Sequence, residues 1–82
     1  MILVDVYVPV INHTYNFRLD ENAMVMNIIE EITEMISQKE QSNIQGDYND
    51  LMLCYVKDQV ILEKELSLYN NRIQTGSTLM LI

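Results

Sequence analysis

Two residue types that often act in catalysis or metal binding occur once each in this sequence, as His13 and Cys54. No serine, acid or second thiol is spaced so that it would join either of them as a nucleophile, general base or metal ligand. A single cysteine also excludes an internal disulfide. We therefore interpret His13 as an exposed turn residue and Cys54 as a small hydrophobe, and we expect no catalytic residue, metal site or cofactor.

Three acids, Glu30, Glu31 and Glu34, lie together on one side of a predicted helix. One interpretation is a solvated face that keeps the protein in solution. The other is a secondary docking surface for a basic partner, recognised through complementary charge. A metal site is not expected, because carboxylates on one helix face alone make a poor cage for a hard cation.

The charge balance excludes two classes of partner. The chain has 82 residues and a formal net charge of −7. Its five basic residues are scattered, as Arg18, Lys39, Lys57, Lys64 and Arg72. Such a surface repels phosphate and anionic head groups, so we expect no binding to nucleic acid or to an anionic membrane surface.

Length and hydropathy indicate how many domains the chain forms and in which cellular compartment we expect it. A chain this short builds one core, and 49% apolar residues with only two glycines and one proline are typical of a folded domain. We expect a single domain over residues 1–82. No stretch approaches the roughly 20 apolar residues that cross a bilayer, and the apolar start lacks the basic flank of a signal peptide. We therefore expect a cytoplasmic protein without direct membrane insertion.

The N-terminal residues alternate between apolar and polar types with the period of a half-buried strand. One face of this first strand is expected to carry Ile2, Val4, Val6, Val8 and Val10. Asn12 and His13 predict a turn, because asparagine tolerates the left-handed backbone that short hairpins require. The alternation then resumes with Tyr15, Phe17 and Leu19 inward, so the first twenty or so residues predict a β-hairpin.

A helix is the clearest predicted element. Asp20, Glu21 and Asn22 are typical of a helix start, so we expect the helix to begin near them. Apolar residues then recur at three- and four-residue spacing, as Val25, Ile28, Ile29, Ile32, Met35 and Ile36. The opposite face is expected to carry Asn27, Glu30, Glu31, Thr33 and Glu34. The polar residues 41–50, which include Gly46, predict a mobile loop.

The remaining residues predict short strands and one irregular segment. Residues 51–56 and 60–62 are predicted strands on either side of a turn, and residues 63–75 are irregular. Gly76 and Ser77 turn the chain into a last strand over residues 78–82. A hairpin, one helix and further strands place the chain in the α+β class.

Two segments resemble the closing part of ubiquitin. They are Leu66-Ser67-Leu68-Tyr69-Asn70 and Ile73-Gln74-Thr75-Gly76-Ser77-Thr78-Leu79-Met80-Leu81. The helix positions Val25, Ile28 and Ile32 also follow the hairpin at ubiquitin-like spacing, so the resemblance covers nearly the whole chain. It implies a ubiquitin-like β-grasp fold, with a mixed sheet of four to five strands, neighbouring terminal strands and one helix packed across one face.

Within that superfamily the chain resembles the bacterial YukD/EsaB group, small proteins that accompany type VII secretion systems. This likeness rests on the size, the acidic balance and the stretch Lys57-Asp58-Gln59-Val60-Ile61-Leu62-Glu63. It implies a cytoplasmic accessory or regulatory component, not an enzyme, with the cytoplasmic part of a secretion-system component as a candidate partner. The given chain ends at Ile82 without the Gly-Gly that ubiquitin uses for conjugation, so conjugation is not expected.

The sheet face turned away from the helix is the main candidate binding site. The helix is expected to cover Val4, Val6, Phe17, Leu19, Leu53, Tyr55, Leu79 and Leu81. Alternation then directs outward Leu3, Tyr7, Met52, Cys54, Met80 and Ile82. Contiguous apolar surface usually marks an interface, and methionine adapts to a partner. In ubiquitin-like domains, the positions matched by Cys54, Met80 and Ile82 form the usual recognition patch.

Several alternatives stay open at the level of the sequence. The outward residues could be scattered surface hydrophobes or the seam of a homodimer. The chain could also be a small, ubiquitin-like, non-catalytic subunit of a multicomponent bacterial enzyme such as an oxygenase. We expect the partner to be another protein or a second copy of this chain.

Overall fold

The structure is a computed structural model that describes residues 1–40 and 50–82. The regular elements of these residues are β1 (Ile2–Val8), a 3-10 helix (Pro9–Ile11), β2 (His13–Leu19), α1 (Val25–Glu40), β3 (Leu53–Tyr55), β4 (Val60–Ile61) and β5 (Thr78–Leu81). The loop predicted for residues 41–50 lies outside the described residues except at Asp50, so its mobility stays a prediction.

The five strands form one mixed sheet in the order β2-β1-β5-β3-β4. β1 and β5 are parallel, and every other neighbouring pair is antiparallel. Gly76, with φ of +88°, makes the predicted turn into β5, at a backbone angle that residues with a Cβ rarely adopt. The α+β prediction, with one helix on a mixed sheet and adjacent terminal strands, is confirmed.

The hairpin forms as predicted, but its turn comes earlier than the alternation indicates. β1 ends at Val8, and the next three residues form the 3-10 helix, in which Val10 is 79% exposed instead of inward. Pro9 explains the difference, because its ring fixes φ and it has no N–H to continue the ladder. Asn12 adopts the expected left-handed conformation, with φ of +49°, whereas His13 already pairs with Val8 in β2.

The helix begins at Val25, later than the acidic start signal predicts. Asp20 instead closes a preceding turn, since its Oδ1 accepts a hydrogen bond from the Asn22 N–H at 2.9 Å. The N–H groups of Val25 and Met26 donate to the backbone carbonyl oxygens of Leu66 and Lys64, at 2.9 and 3.1 Å. Distant backbone therefore satisfies donors that a helix start leaves unpaired.

Thr33 lies on the opposite side of the helix from its predicted position. It is only 3% exposed, and its hydroxyl donates to the Ile29 carbonyl oxygen at 2.6 Å. A threonine can enter an apolar face when its hydroxyl bonds the preceding helical turn, because that bond removes most of the penalty for burying it. Hydropathy alone therefore gave the wrong face for this residue.

The helix and the inner face of the sheet share one apolar core. Every residue predicted to lie under the helix is buried, apart from Tyr55, which is half-buried against the same core. The irregular segment between β4 and β5 adds Leu62, Leu68 and Ile73, all buried. One sheet face is thus fully occupied, and the side chains of the intervening positions must point to the other.

Candidate functional site on the outer face of the sheet

An apolar row crosses four strands on the sheet face turned away from α1. The strand register sets Tyr7 opposite Met80, Met80 opposite Cys54, and Cys54 opposite Ile61. Directly opposed side chains on one face lie within contact range of each other, so the four form a continuous line. Ile61 was missed by the sequence analysis, although it is 55% exposed at the outer end of the row.

A second pair extends this row toward the end of the sheet where β1 finishes. Met52 and Ile82 exchange two backbone hydrogen bonds, of 2.7 and 2.9 Å, and so face each other one step beyond Cys54 and Met80. We use the term outer patch for the six residues Tyr7, Met52, Cys54, Ile61, Met80 and Ile82. The 3-10 helix that follows β1 lies at this same end, because β1 and β5 are parallel.

Leu3 points outward as predicted, but the structure does not bring it to the outer patch. Asp5 lies between Leu3 and Tyr7 on the same face and accepts a hydrogen bond from Asn16 Nδ2 at 3.0 Å. Leu3 instead lies beside the turn before β5, where its carbonyl oxygen accepts from the Gly76 N–H at 2.7 Å. A polar step therefore separates Leu3 from the other predicted residues.

The side chains of the outer patch carry no formal charge. On the outward positions of β1 and β2, alternation places Asp5 in the adjacent row and Arg18, opposite Leu3, one row further away. Its one hydroxyl, that of Tyr7, donates to Asn12 Oδ1 at 2.9 Å. The arrangement can bury an apolar partner surface without leaving a charge unpaired, which is the pattern of an interface core.

The two candidate reactive residues lie on opposite faces of the sheet. Cys54 shares the outward row with Met80, whereas His13 pairs with the inward Val8, and its ring centroid lies 4.4 Å from that of the buried Tyr15. A Cys-His pair would require hydrogen-bond contact between the two side chains. The sheet itself separates them, so this arrangement holds no thiol–imidazole dyad.

The three predicted helix acids, Glu30, Glu31 and Glu34, are all exposed on the side of α1 opposite the sheet. Among the described residues, no group of three or more histidine, cysteine or acidic side chains is arranged to hold a metal ion. The acidic face and the outer patch are therefore two separate surfaces, on opposite sides of the molecule.

Tyr15 connects β2 to the end of the helix. Its hydroxyl donates a hydrogen bond to Glu40, and Lys39 Nζ lies 5.4 Å from its ring centroid. The pKa of Tyr15 is raised to about 12. Burial is the largest cause, followed by the hydrogen bond to Glu40 and the negative charge of Glu40. We interpret this contact as structural, because it fixes the C-terminal turn of α1 against the sheet.

Comparisons with known proteins agree on the fold. Three solved ubiquitin-like domains each match 99% of this chain. One is an N-terminal domain of the 4931431F19Rik protein (23% identity, TM-score 0.76, 72% of that chain). The second is the EccD5 domain from Mycobacterium xenopi (21%, 0.78, 91%), and the third belongs to a protein of Arabidopsis thaliana (16%, 0.74, 74%). The ubiquitin-like β-grasp fold implied by the sequence is therefore confirmed.

Sequence comparison adds nothing to this likeness, since no protein-family model and no curated protein matches the chain. At 16–23% identity, the structural likeness establishes the fold alone. No helix within residues 1–40 or 50–82 is both long enough and apolar enough to cross a membrane.

Proposed function

We propose that this protein is a non-catalytic, ubiquitin-like interaction module that binds another protein through the outer patch. In this proposal it works in the bacterial cytoplasm, as an accessory or regulatory component of a type VII secretion system of the YukD/EsaB type. The observation that carries the binding role is the uncharged apolar row formed by Tyr7, Met80, Cys54 and Ile61.

The composition of the outer patch supports recognition. The covered face of the sheet is built largely from valine and leucine and contains no methionine, whereas the outer patch combines two methionines with cysteine, tyrosine and isoleucine. Methionine and tyrosine suit a surface that alternates between water and a partner, because one is flexible and polarizable and the other is amphipathic. The separation of His13 from Cys54 by the sheet supports a non-catalytic role.

Two observations favour the secretion-related version of this proposal. The stretch from Lys57 to Glu63 resembles the YukD/EsaB group, and in the structure it includes the turn into β4 and the outward Ile61. One of the structurally similar domains, that of EccD5, is also bacterial. A partner on the cytoplasmic side of a secretion machine fits both.

A matched pair of substitutions tests the site. We expect Met80→Glu to abolish retention of the partner, because a charge at the centre of the outer patch would be buried unpaired in the complex. Met26→Glu is the control, since Met26 is 40% exposed in the first turn of α1, where an added acid is favourable. The measurement is a pull-down from native lysate, with identification of the retained proteins by mass spectrometry.

The outcomes separate the alternatives. Secretion-machinery proteins held by the wild type and by Met26→Glu, but lost with Met80→Glu, would support the proposal. Retention of metal-containing large subunits would favour the enzyme-subunit alternative, and a change from dimer to monomer in analytical ultracentrifugation would favour a homodimer seam. Equal retention by both variants would contradict a role for the outer patch. Ile61→Glu repeats the test at a site 55% exposed, should Met80→Glu fail to fold.

Cys54 supplies a native reporter for the same surface. It is a free, half-buried thiol at the centre of the apolar row. We expect a bound partner to slow its reaction with a maleimide several-fold. The control is a Cys54→Ser, Glu34→Cys double variant, whose thiol lies on the acidic helix face and should react at the same rate with or without the partner.

A further inference from the structure

An open concavity of about 530 Å³ lies in the irregular segment before β5. It is lined by Tyr69, Asn70, Arg72, Ile73 and Gln74. Backbone hydrogen bonds place this segment at the end of the sheet where β1 begins, since the Tyr69 N–H donates to the Glu21 carbonyl oxygen at 2.9 Å and Gly76 bonds Leu3. The outer patch extends toward the opposite end, so the concavity is a separate surface.

The backbone at Arg72 is of a kind that usually requires glycine. The Ile73 N–H donates to the Leu68 carbonyl oxygen and the Arg72 N–H to that of Tyr69, both at 3.0 Å. This nested pair of bonds closes a turn whose penultimate residue is left-handed, and Arg72 has φ of +64°. Glycine or asparagine would adopt this conformation at lower cost, so the backbone gives no reason for an arginine here.

The side chains around Arg72 form a donor-rich surface. Within the described part of the chain, the Arg72 guanidinium makes no hydrogen bond or ion pair, so its fixed fork of donors remains available. Tyr69 is 69% exposed beside it, and Asn70 and Gln74 add amide groups. Arginine and tyrosine at a concave surface are the residue types that most often dominate binding energy at interfaces.

We propose that this concavity binds a single carboxylate of a peptide or protein partner. Arg72 would accept the carboxylate in a two-point hydrogen bond, and Tyr69 would pack along the adjoining peptide. Glu21, the acid whose backbone bonds Tyr69, has its own carboxylate paired with the Met1 amino group at 3.0 Å. The net charge of −7 repels a run of acids, which limits the ligand to one carboxylate instead of a polyanion.

The test is an NMR titration of the whole chain with three short peptides. Acetyl-Ala-Glu-Ala-amide presents a side-chain carboxylate, acetyl-Ala-Ala-Ala with a free C-terminus presents a main-chain carboxylate, and acetyl-Ala-Gln-Ala-amide presents neither. We expect saturable shifts at Tyr69, Asn70, Arg72 and Gln74 with at least one of the first two peptides and none with the third. Which acid binds more tightly identifies the source of the carboxylate.

Two variants make the result specific. Arg72→Asn keeps a residue that tolerates the left-handed backbone, and it should weaken carboxylate binding about tenfold or more, because charge-assisted hydrogen bonds are lost. Lys39→Gln removes the same charge from the last turn of α1, at the far end of the helix from the first turn that bonds residues 64–66. This variant should leave binding within about twofold, since a distant exposed charge is largely screened. Equal shifts with the neutral peptide, unchanged binding in Arg72→Asn, or no saturable shift with either acid would each overturn the proposal.

A stability measurement excludes a purely structural role for the arginine. Arg72→Gly should unfold at the same or a higher urea concentration than the wild type, because glycine relieves the left-handed strain. A lower urea midpoint for this variant would show that the arginine is retained for folding, and would overturn the proposal.

Discussion

Both faces of this sheet carry apolar residues, and α1 covers only one of the two faces. Leu79 and Met80 are neighbours in β5, yet Leu79 is fully buried under α1 while Met80 is half-exposed in the outer patch. The covered face contains residues with few rotamers, which define one packing arrangement against the helix. The uncovered face contains methionine and cysteine at its centre. A sheet can thus hold one face for folding and the other for binding.

The largest expected effect comes from the comparison of these two neighbours. Leu79→Ala should lower the free energy of unfolding by about 2–5 kcal/mol, because it leaves a cavity in the core. Met80→Ala should lower it by less than about 1 kcal/mol, because the side chain is already half in water. Urea denaturation followed by circular dichroism measures both.

Leu79→Met serves as the control for this first prediction, since a swap that conserves volume should cost less than about 1.5 kcal/mol. Equal losses for Leu79→Ala and Met80→Ala would mean that Met80 is as deeply packed as the core. The division of the sheet into a folding face and a binding face would then be wrong.

A tyrosine on the covered face extends the comparison of the two faces to the pH dependence of stability. Tyr15 lies on the covered face, and its burial and its contact with Glu40 raise its pKa to about 12. The neutral phenol is therefore favoured in the folded state, and this contribution is fully present below pH 10. It is lost as the pH rises from 10 to 12, and its loss should lower the free energy of unfolding by about 2 kcal/mol.

Urea titrations at pH 9 and pH 12 measure this effect. Tyr15→Phe has no phenol to ionise, so its stability should fall by about 2 kcal/mol less than that of the wild type over this interval. Tyr7→Phe, which changes the outer patch instead, is the control for the loss of a tyrosine hydroxyl from the opposite face of the sheet. The same pH dependence in the wild type and in Tyr15→Phe would contradict the structural role of Tyr15.

The smallest expected effect concerns the exposed acidic face of α1, which belongs neither to the core nor to the outer patch. Glu30 and Glu34 lie one helical turn apart and are both exposed. Glu34→Gln should raise stability by about 0.2–0.5 kcal/mol at low salt, because it removes a like-charge pair. In 1 M salt the gain should vanish through screening. A loss of stability would show that Glu34 makes a favourable contact instead.

The predictable parts of the fold are those in which apolar residues recur with a regular spacing over several repeats. The hairpin and α1 each bury one face over several repeats, and the sequence analysis identified both. Its errors lie where one local interaction decides the outcome. Pro9 ended the strand before Val10, Thr33 was buried by a bond to its own helix, and α1 began only where backbone from residues 64–66 could receive its first N–H groups.

The candidate sites were predictable to different extents. Alternation alone assigned five of the six residues of the outer patch, because each lies next in sequence to an inward residue of a strand. Ile61 was missed, since a strand of two residues shows no period. Nothing in the sequence indicated Arg72, because a left-handed arginine depends on hydrogen bonds among residues 67–73 that follow no periodic pattern.

The place of β5 between β1 and β3 also has a consequence for how the chain folds during synthesis. β5 is made last of the five strands, yet it occupies the middle of the sheet and pairs with the strand that is made first. The hairpin and helix can form early as local structure, but the central strand of the sheet is missing until Leu81 has emerged from the ribosome. The nascent chain must therefore keep the unpaired edge of the hairpin and β3 away from other chains until that moment, and the sheet is completed in one late step that joins residues far apart in sequence.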